Sequence, residues 1–355
     1  MRKSFPTKRA TLEDVARAAG VGPMTVSRTI NGHPYVAEET AKKVREAIRS
    51  LNYRPNHAAR MLTGQLSRSI GLIVPDIADT FFSVVSHAVQ ETARASGYLV
   101  WLAVTGEDTS VEAAQVEMMT HHPVDGILLV PSDSRHNYLK AVAAGNTPIV
   151  TIDRPMEVAV TDSVGVENQA GARMAVDHLI QHGYKRIACV VANSHLLTIK
   201  ERVAGYKESV RRAKLLCLKE VDSSGHASAK RALTDLFASR NRPDAIFTAN
   251  SASTIWAIEA LKELNIEMGK DVALVAFDDV DFYTLISPSV TAVRQPAAEL
   301  GNVSVRLLLQ RINGEFKTTS VRAVLPVSLT VRESCGCKRK DSGSASVPNS
   351  GHLLD

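Results

Sequence analysis

Arg28 carries the most direct chemistry in this chain. Its guanidinium fork can donate two hydrogen bonds to one guanine edge, and it follows Pro23, a residue suited to open a helix because its missing N–H would be unbonded there anyway. Pro23 and Met24, at the same helix start, can offer apolar contacts such as one to a thymine methyl; Met24 can equally pack on the preceding helix. Thr25, Ser27 and Asn31 suit phosphate or capping contacts, which place a helix without reading bases, while Val26 and Ile30 read as core. A second group lies at the ends of apolar runs: Asp76 and Asp79 with Phe81 and Phe82 close behind, Asp153 and Arg154, Asn250, and Asp278 and Asp279. Ligands of doubly wound sheets sit beyond the carboxyl ends of the strands, so these are candidate ligand contacts. Asp153, Arg154 and Asp279 serve equally well as capping or salt-bridge residues.

Catalytic patterns are missing from the sequence. There is no G-x-S-x-G elbow, Walker loop, complete G-x-G-x-x-G or H-E-x-x-H, so no enzyme is expected. Asp278 and Asp279 are adjacent at a strand end and point to opposite sides, which does not suit an acid/base pair. His178 and His182 have i, i+4 zinc spacing without a third ligand nearby in sequence, and Cys335 and Cys337 form a C-x-C without a partner pair. Solvated thiols, no metal and no cofactor are therefore expected.

The elements that would position these groups fall into three stretches. Residues 1–68 hold 13 Lys and Arg against 5 Asp and Glu, whereas the remainder holds 29 against 32, so one small basic segment carries the net charge of +5 and points to a polyanion partner. Within it, Thr11 and Asp14 form a capping box, Gly20 ends the first helix, Pro23 starts the second, and Glu38 to Leu51 gives a third with Ala41, Val44, Ala47, Ile48 and Leu51 inward. This is a helix-turn-helix layout. Residues 56–68 read as a short hinge helix and linker, unstable alone. From Ser69, seven Val/Ile/Leu-rich runs alternate with helical patterns, which predicts parallel strands covered on both faces, in two doubly wound lobes. Four scattered cysteines, no 18-residue apolar run and no apolar run behind the basic start predict a cytoplasmic protein.

The stretches TLEDVARAAGVGPMTVSRTING and NYRPNHAARMLTGQLSRSIGLIVPD resemble the headpiece and hinge of the lactose-repressor (LacI/GalR) family, and FFSVV, DGILLVPS, IDRP, HGYKRIA, ERVAGY, VAFDD and TAVRQP extend the resemblance to about residue 334. It implies an N-terminal all-α headpiece (1–55), the hinge (56–68), and a periplasmic-binding-protein-like α/β sensor. The sensor's first lobe would span 69–167 with 295–334 and its second 168–294, leaving a disordered tail at 335–355. It also implies a transcription regulator, a repressor by family habit, that binds a palindromic double-stranded DNA operator as a dimer, with a tetramer possible and no membrane. Arg28 matches a base reader; Leu62, with Ala59 on the same face of the hinge helix, matches a residue wedged between base steps, unless it packs on its own lobe; Asn56, His57 and Arg60 then face phosphates or groove walls. Arg202 matches the arginine that holds ligand hydroxyl or acidic groups, and Asp278 is the most specific cleft residue. Asp79–Thr80 stands where the family commonly has Asn-Pro, and Leu196 replaces a polar contact of purine-binding relatives. Carboxylates, an amide, a guanidinium and an aromatic pair suit a sugar or sugar acid. The alternative is a solute-binding protein that regulates no gene directly. The effector, the operator and the sense of the response are not legible in the sequence.

Overall fold

A computed structural model describes residues 10–30, 35–53, 66–121, 124–157, 161–216, 221–223, 226–315 and 320–337. The chain divides into two compact units, residues 1–67 and 68–355.

In the first unit, α1 (Leu12–Ala19) starts on a reciprocal cap: Thr11 Oγ1 accepts from the Asp14 amide at 3.2 Å, and Asp14 Oδ2 accepts from the Thr11 amide at 2.9 Å. Gly20 stops it at φ 67°, a left-handed conformation that glycine adopts without a Cβ clash. Helices α2 (Pro23–Ile30) and α3 (Glu38–Ser50) close a small core of Val15, Ala16, Val26, Val44, Ala47 and Tyr53, with Ile30 and Ile48 packed at its margin. Leu51, expected inward, is instead the exposed C-cap of α3. Asn52 at φ 45° turns the chain back, so that the Tyr53 amide reaches the Ile48 carbonyl and the Tyr53 ring fills the position.

The second unit contains two sheets. In chain order the elements of its first half are β1 (Ser69–Val74), α4 (Thr80–Ala95), β2 (Leu99–Val104), α5 (Thr109–His121), β3 (Gly126–Leu129), α6 (Tyr138–Ala143), β4 (Ile149–Ile152) and β5 (Asp162–Val166). Then follow α7 (Asn168–Gln181), β6 (Ile187–Ala192), α8 (Leu197–Arg212), β7 (Val221–Ser223), α9 (His226–Ala238), β8 (Ala245–Thr248), α10 (Ser251–Glu263), β9 (Ala273–Phe277), a 3-10 turn (Asp281–Thr284) and β10 (Thr291–Arg294). The chain ends in α11 (Ala297–Ile312), β11 (Arg322–Leu325) and β12 (Ser328–Thr330). The first sheet runs β11-β5-β4-β3-β1-β2, all parallel; the second runs β12-β10-β9-β8-β6-β7, parallel except for the β10–β12 pair. Strands β1, β3, β4, β6, β8 and β9 are buried along their whole length, which is why they read as continuous apolar runs. Glycines let helices close on one another: a Cβ at Gly205 would collide with the Gln169 carbonyl, and one at Gly301 with the Val85 carbonyl.

The chain passes between the sheets three times, after β5, after β10 and after β11. The last passage corrects the expected lobe boundary, because residues 328–334 lie with the second lobe: β12 pairs with β10, Ser334 Oγ donates to Leu274 and accepts from the Thr291 amide. A three-residue antiparallel strand carries too little apolar run to be read from sequence. The start of the expected tail is also packed, with Cys335 fully buried rather than solvated and Cys337 half-buried; residues 338–355 lie outside the described residues. No helix among the described residues is long and apolar enough to cross a membrane.

Candidate nucleic-acid interface and ligand cleft

Helix α2 buries Val26 in the headpiece core and leaves Met24 (67% exposed) and Arg28, one turn apart on another face, in solvent. Met24 therefore does not pack on α1, and its apolar end is free to meet a partner. Pro23 is exposed, and Thr25 and Ser27 are half-buried beside it. Asn31 and the hinge residues Asn56, His57, Ala59, Arg60 and Leu62 lie outside the described residues.

The candidate ligand cleft is built at the carboxyl ends of strands from both sheets. Asp153 follows β4 and Asp278 follows β9, the third strand in each sheet order, and both adopt left-handed backbone, φ 66° and 75°. Non-glycine residues rarely hold such angles, aspartate being among the more tolerant, and strained backbone of this kind gathers where a binding geometry is imposed. Asp278 accepts from Gln295 Nε2 at 2.5 Å and from the Ser251 amide at 3.1 Å, and Arg202 Nη1 stands 3.7 Å away. Arg202 is held by Asn168 Oδ1 at 2.9 Å and the Ala249 carbonyl at 2.8 Å, with its guanidinium carbon 3.8 Å from the centre of the Phe277 ring. The partner lobe contributes Asp79, which caps α4 through the Phe81 amide and reaches across the cleft to Ser251 Oγ at 3.2 Å. Ser251 thus touches carboxylates of both lobes.

Burial is the main electrostatic force at this site. It pushes the Asp153 carboxyl up to about 6, against the opposing pull of Arg154 and then Arg202, with Asp278 and Glu107 adding repulsion. Burial and then the Asp278 charge also raise Asp79. Arg154 cannot fully compensate, because Glu107 grips both its terminal nitrogens at 2.8 Å. Three buried polar atoms here lack a hydrogen bond: Asp153 Oδ1, Arg154 Nε and Gln295 Oε1. A cavity of about 580 Å³ adjoins, lined by Thr80, Phe81, Asp278, Gln295, Arg294 and Arg332 among others. Asp153 and Arg202 lie outside its lining.

The remaining expected contacts are placed elsewhere. Asp76 is exposed and accepts from the Ala78 amide; Phe82 is a core residue, with Arg154 at 6.0 Å from its ring centre; Asn250 spends its amide on capping α10 and on the Ala192 carbonyl. Asp279 forms the salt-bridge alternative, accepting from Arg294 and Arg332. Sequence reasoning missed Ser251, Gln295 and Asn168. Gln295 and Asn168 adjoin the passages between the sheets, and recognising β10 would have put Gln295 at a strand end.

Comparison with known proteins agrees with this architecture. Residues 11–56 match the family described as bacterial regulatory proteins, lacI family, and residues 176–335 match a periplasmic binding protein-like domain. The HTH-type transcriptional repressor PurR of Aliivibrio fischeri is 31% identical over 327 residues, covering 90% of this chain and 97% of the relative. The crystal structure of the lac repressor dimer bound to operator and the anti-inducer ONPF matches with a TM-score of 0.82 at 27% identity, over 92% of this chain and 99% of that one. A complex of the transcriptional regulator CelR with cellobiose matches with a TM-score of 0.68 at 31% identity, over 92% and 100%. The chain is a DNA-binding transcription regulator and belongs to the lacI family of bacterial regulatory proteins.

Proposed function

We propose that this regulator represses transcription from a palindromic operator as a homodimer, and that a neutral polyhydroxylated molecule, a sugar in the first place, bound between its lobes sets its DNA affinity. The observation that carries the ligand class is the crowding of carboxylates where the lobes meet: burial and the Asp278 charge push both Asp79 and Asp153 up, Glu107 already holds Arg154, and Arg294 and Arg332 of the adjoining cavity are already paired with Asp279. Donor hydroxyls of a sugar satisfy carboxylates, whereas the anion of a sugar acid adds to the repulsion. The cavity volume falls within the range of small-molecule sites, and the related CelR complex holds cellobiose. The test is a thermal shift of the full chain across neutral mono- and disaccharides and the matching aldonic and uronic acids. Stabilisation by a neutral sugar supports the reading; stabilisation by acids alone overturns it.

On DNA, Arg28 is the base reader, Pro23 and Met24 add apolar contacts, and Thr25, Ser27 and Asn31 hold phosphates. Asn56, His57 and Arg60 flank a wedge of Ala59 and Leu62. Arg28→Ala should weaken operator binding by about 10- to 100-fold while leaving nonspecific duplex binding nearly unchanged, in a mobility-shift titration at fixed salt. Equal loss on both duplexes would make Arg28 a phosphate contact. A second copy has an available surface in edge strand β2, where Leu99 and Trp101 are 71% and 52% exposed. Dimers in sedimentation that dissociate on Trp101→Asp support this assignment.

A further inference from the structure

The folded chain brings together two motifs that lie about 150 residues apart. His178, in the last turn of α7, places Nε2 3.4 Å from Cys337 Sγ, and the ligand atoms of His178, Cys335 and Cys337 all lie within 4.8 Å of one another. All three cysteines among the described residues are free thiols.

We propose that His178, Cys335 and Cys337 form a binding site for a borderline-soft divalent cation, Zn2+ in the first place, with solvent as the fourth ligand. The spacing suits that ion. With Zn–S near 2.3 Å and Zn–N near 2.0–2.1 Å, tetrahedral geometry puts sulfur and nitrogen about 3.5 Å apart and the two sulfurs about 3.8 Å apart. The observed 3.4 Å already meets the first value, and the widest separation needs to shrink by about 1.3 Å at most. Two thiolates neutralise the ion, and a Cys2His set selects Zn2+ over the hard cations that take oxygen ligands. Access is available, because His178 and Cys337 are half-exposed while Cys335 is buried.

The surroundings hold the pair of cysteines in place before any ion arrives. Tyr184 Oη donates to the Cys335 carbonyl at 3.0 Å, Cys335 Sγ to the Arg332 carbonyl at 3.4 Å, and Gly336 at φ 68° makes the reversal between the two thiols. A Cβ at Gly336 would collide with Tyr184 Oη. Metal here ties the C-terminal segment to α7, the first helix of the second lobe.

The experiment uses the full chain, kept reduced, demetallated and titrated with Co2+ and then Zn2+. The expected result is one ion per chain, with tetrahedral ligand-field bands and a sulfur-to-cobalt charge-transfer band that Zn2+ displaces. Cys337→Ser and His178→Ala should each weaken Zn2+ binding at least about 100-fold, whereas His182→Ala leaves it within about threefold. Substoichiometric binding, an octahedral cobalt spectrum, or unaltered affinity in His178→Ala overturns the proposal. So does a reduced chain that binds no metal and reoxidises to a Cys335–Cys337 disulfide, seen as a loss of two hydrogens by mass.

Discussion

The two lobes carry the same carboxylate at the same place and treat it differently. Asp153 ends β4 and Asp278 ends β9, each the third strand of its sheet, each with left-handed backbone. Asp278 is satisfied, receiving the Gln295 side chain, the Ser251 amide and a nearby Arg202. Asp153 is more deeply buried, leaves one oxygen without a hydrogen bond, and sits beside an arginine already taken by Glu107. Equivalent topology therefore fixes where a ligand-facing group stands, and the neighbours decide its chemistry. The second lobe has a preorganised acceptor; the first has a costly one that a hydroxyl donor would relieve.

Asp153→Asn tests this contrast most severely. The carboxyl titrates near 6 in the folded protein against 3.8 ordinarily, so the folded state binds its proton more tightly than the unfolded chain does. Its contribution to stability is full below about pH 4 and is lost as pH rises through about 6, and asparagine, which also tolerates positive φ, has no such loss. Relative to the wild type, the variant should gain up to about 3 kcal/mol between pH 4 and pH 7 in urea unfolding of the sensor. A pH-independent difference would mean that burial does not raise the Asp153 carboxyl. Next in size, Asp278→Ala should weaken binding of the effector by about 10- to 100-fold, the worth of hydrogen bonds to a charged acceptor, with a smaller loss for Asp153→Asn. Equal losses would erase the distinction. The smallest effect belongs to Ser251→Ala, which removes the hydroxyl shared with Asp79 and should destabilise the sensor by about 1 kcal/mol. No change in unfolding free energy would show that the lobes do not meet there in solution.

The position of both carboxylates was legible in the sequence, though not the difference between them. Runs such as ILLV, PIVTI and ALVAF reported buried parallel strands, and the ends of the last two located Asp153 and Asp278 without any knowledge of packing. The short strands β5, β7, β10, β11 and β12 left no comparable trace, since three to five mixed residues do not fix a period. Gln295 went unnoticed with β10, and the return of residues 328–334 to the second lobe with β12. The caps of the headpiece could be read because they are local; Asn250 is an equally local cap, through Ser253, but its place at the end of β8 made it look like a ligand contact, and its bond to the Ala192 carbonyl is visible only in tertiary structure. The meeting of His178 with Cys335 and Cys337 depends on that same return and has no local signature.

The three passages of chain between the sheets are three pins joining one lobe to the other, so any motion between the lobes has to be taken up in them. Two of the pins are wired to the cleft, since Asn168 holds Arg202 and Gln295 holds Asp278. An effector that pulled on either side chain would thereby act on the very connections through which any movement of one lobe against the other has to pass.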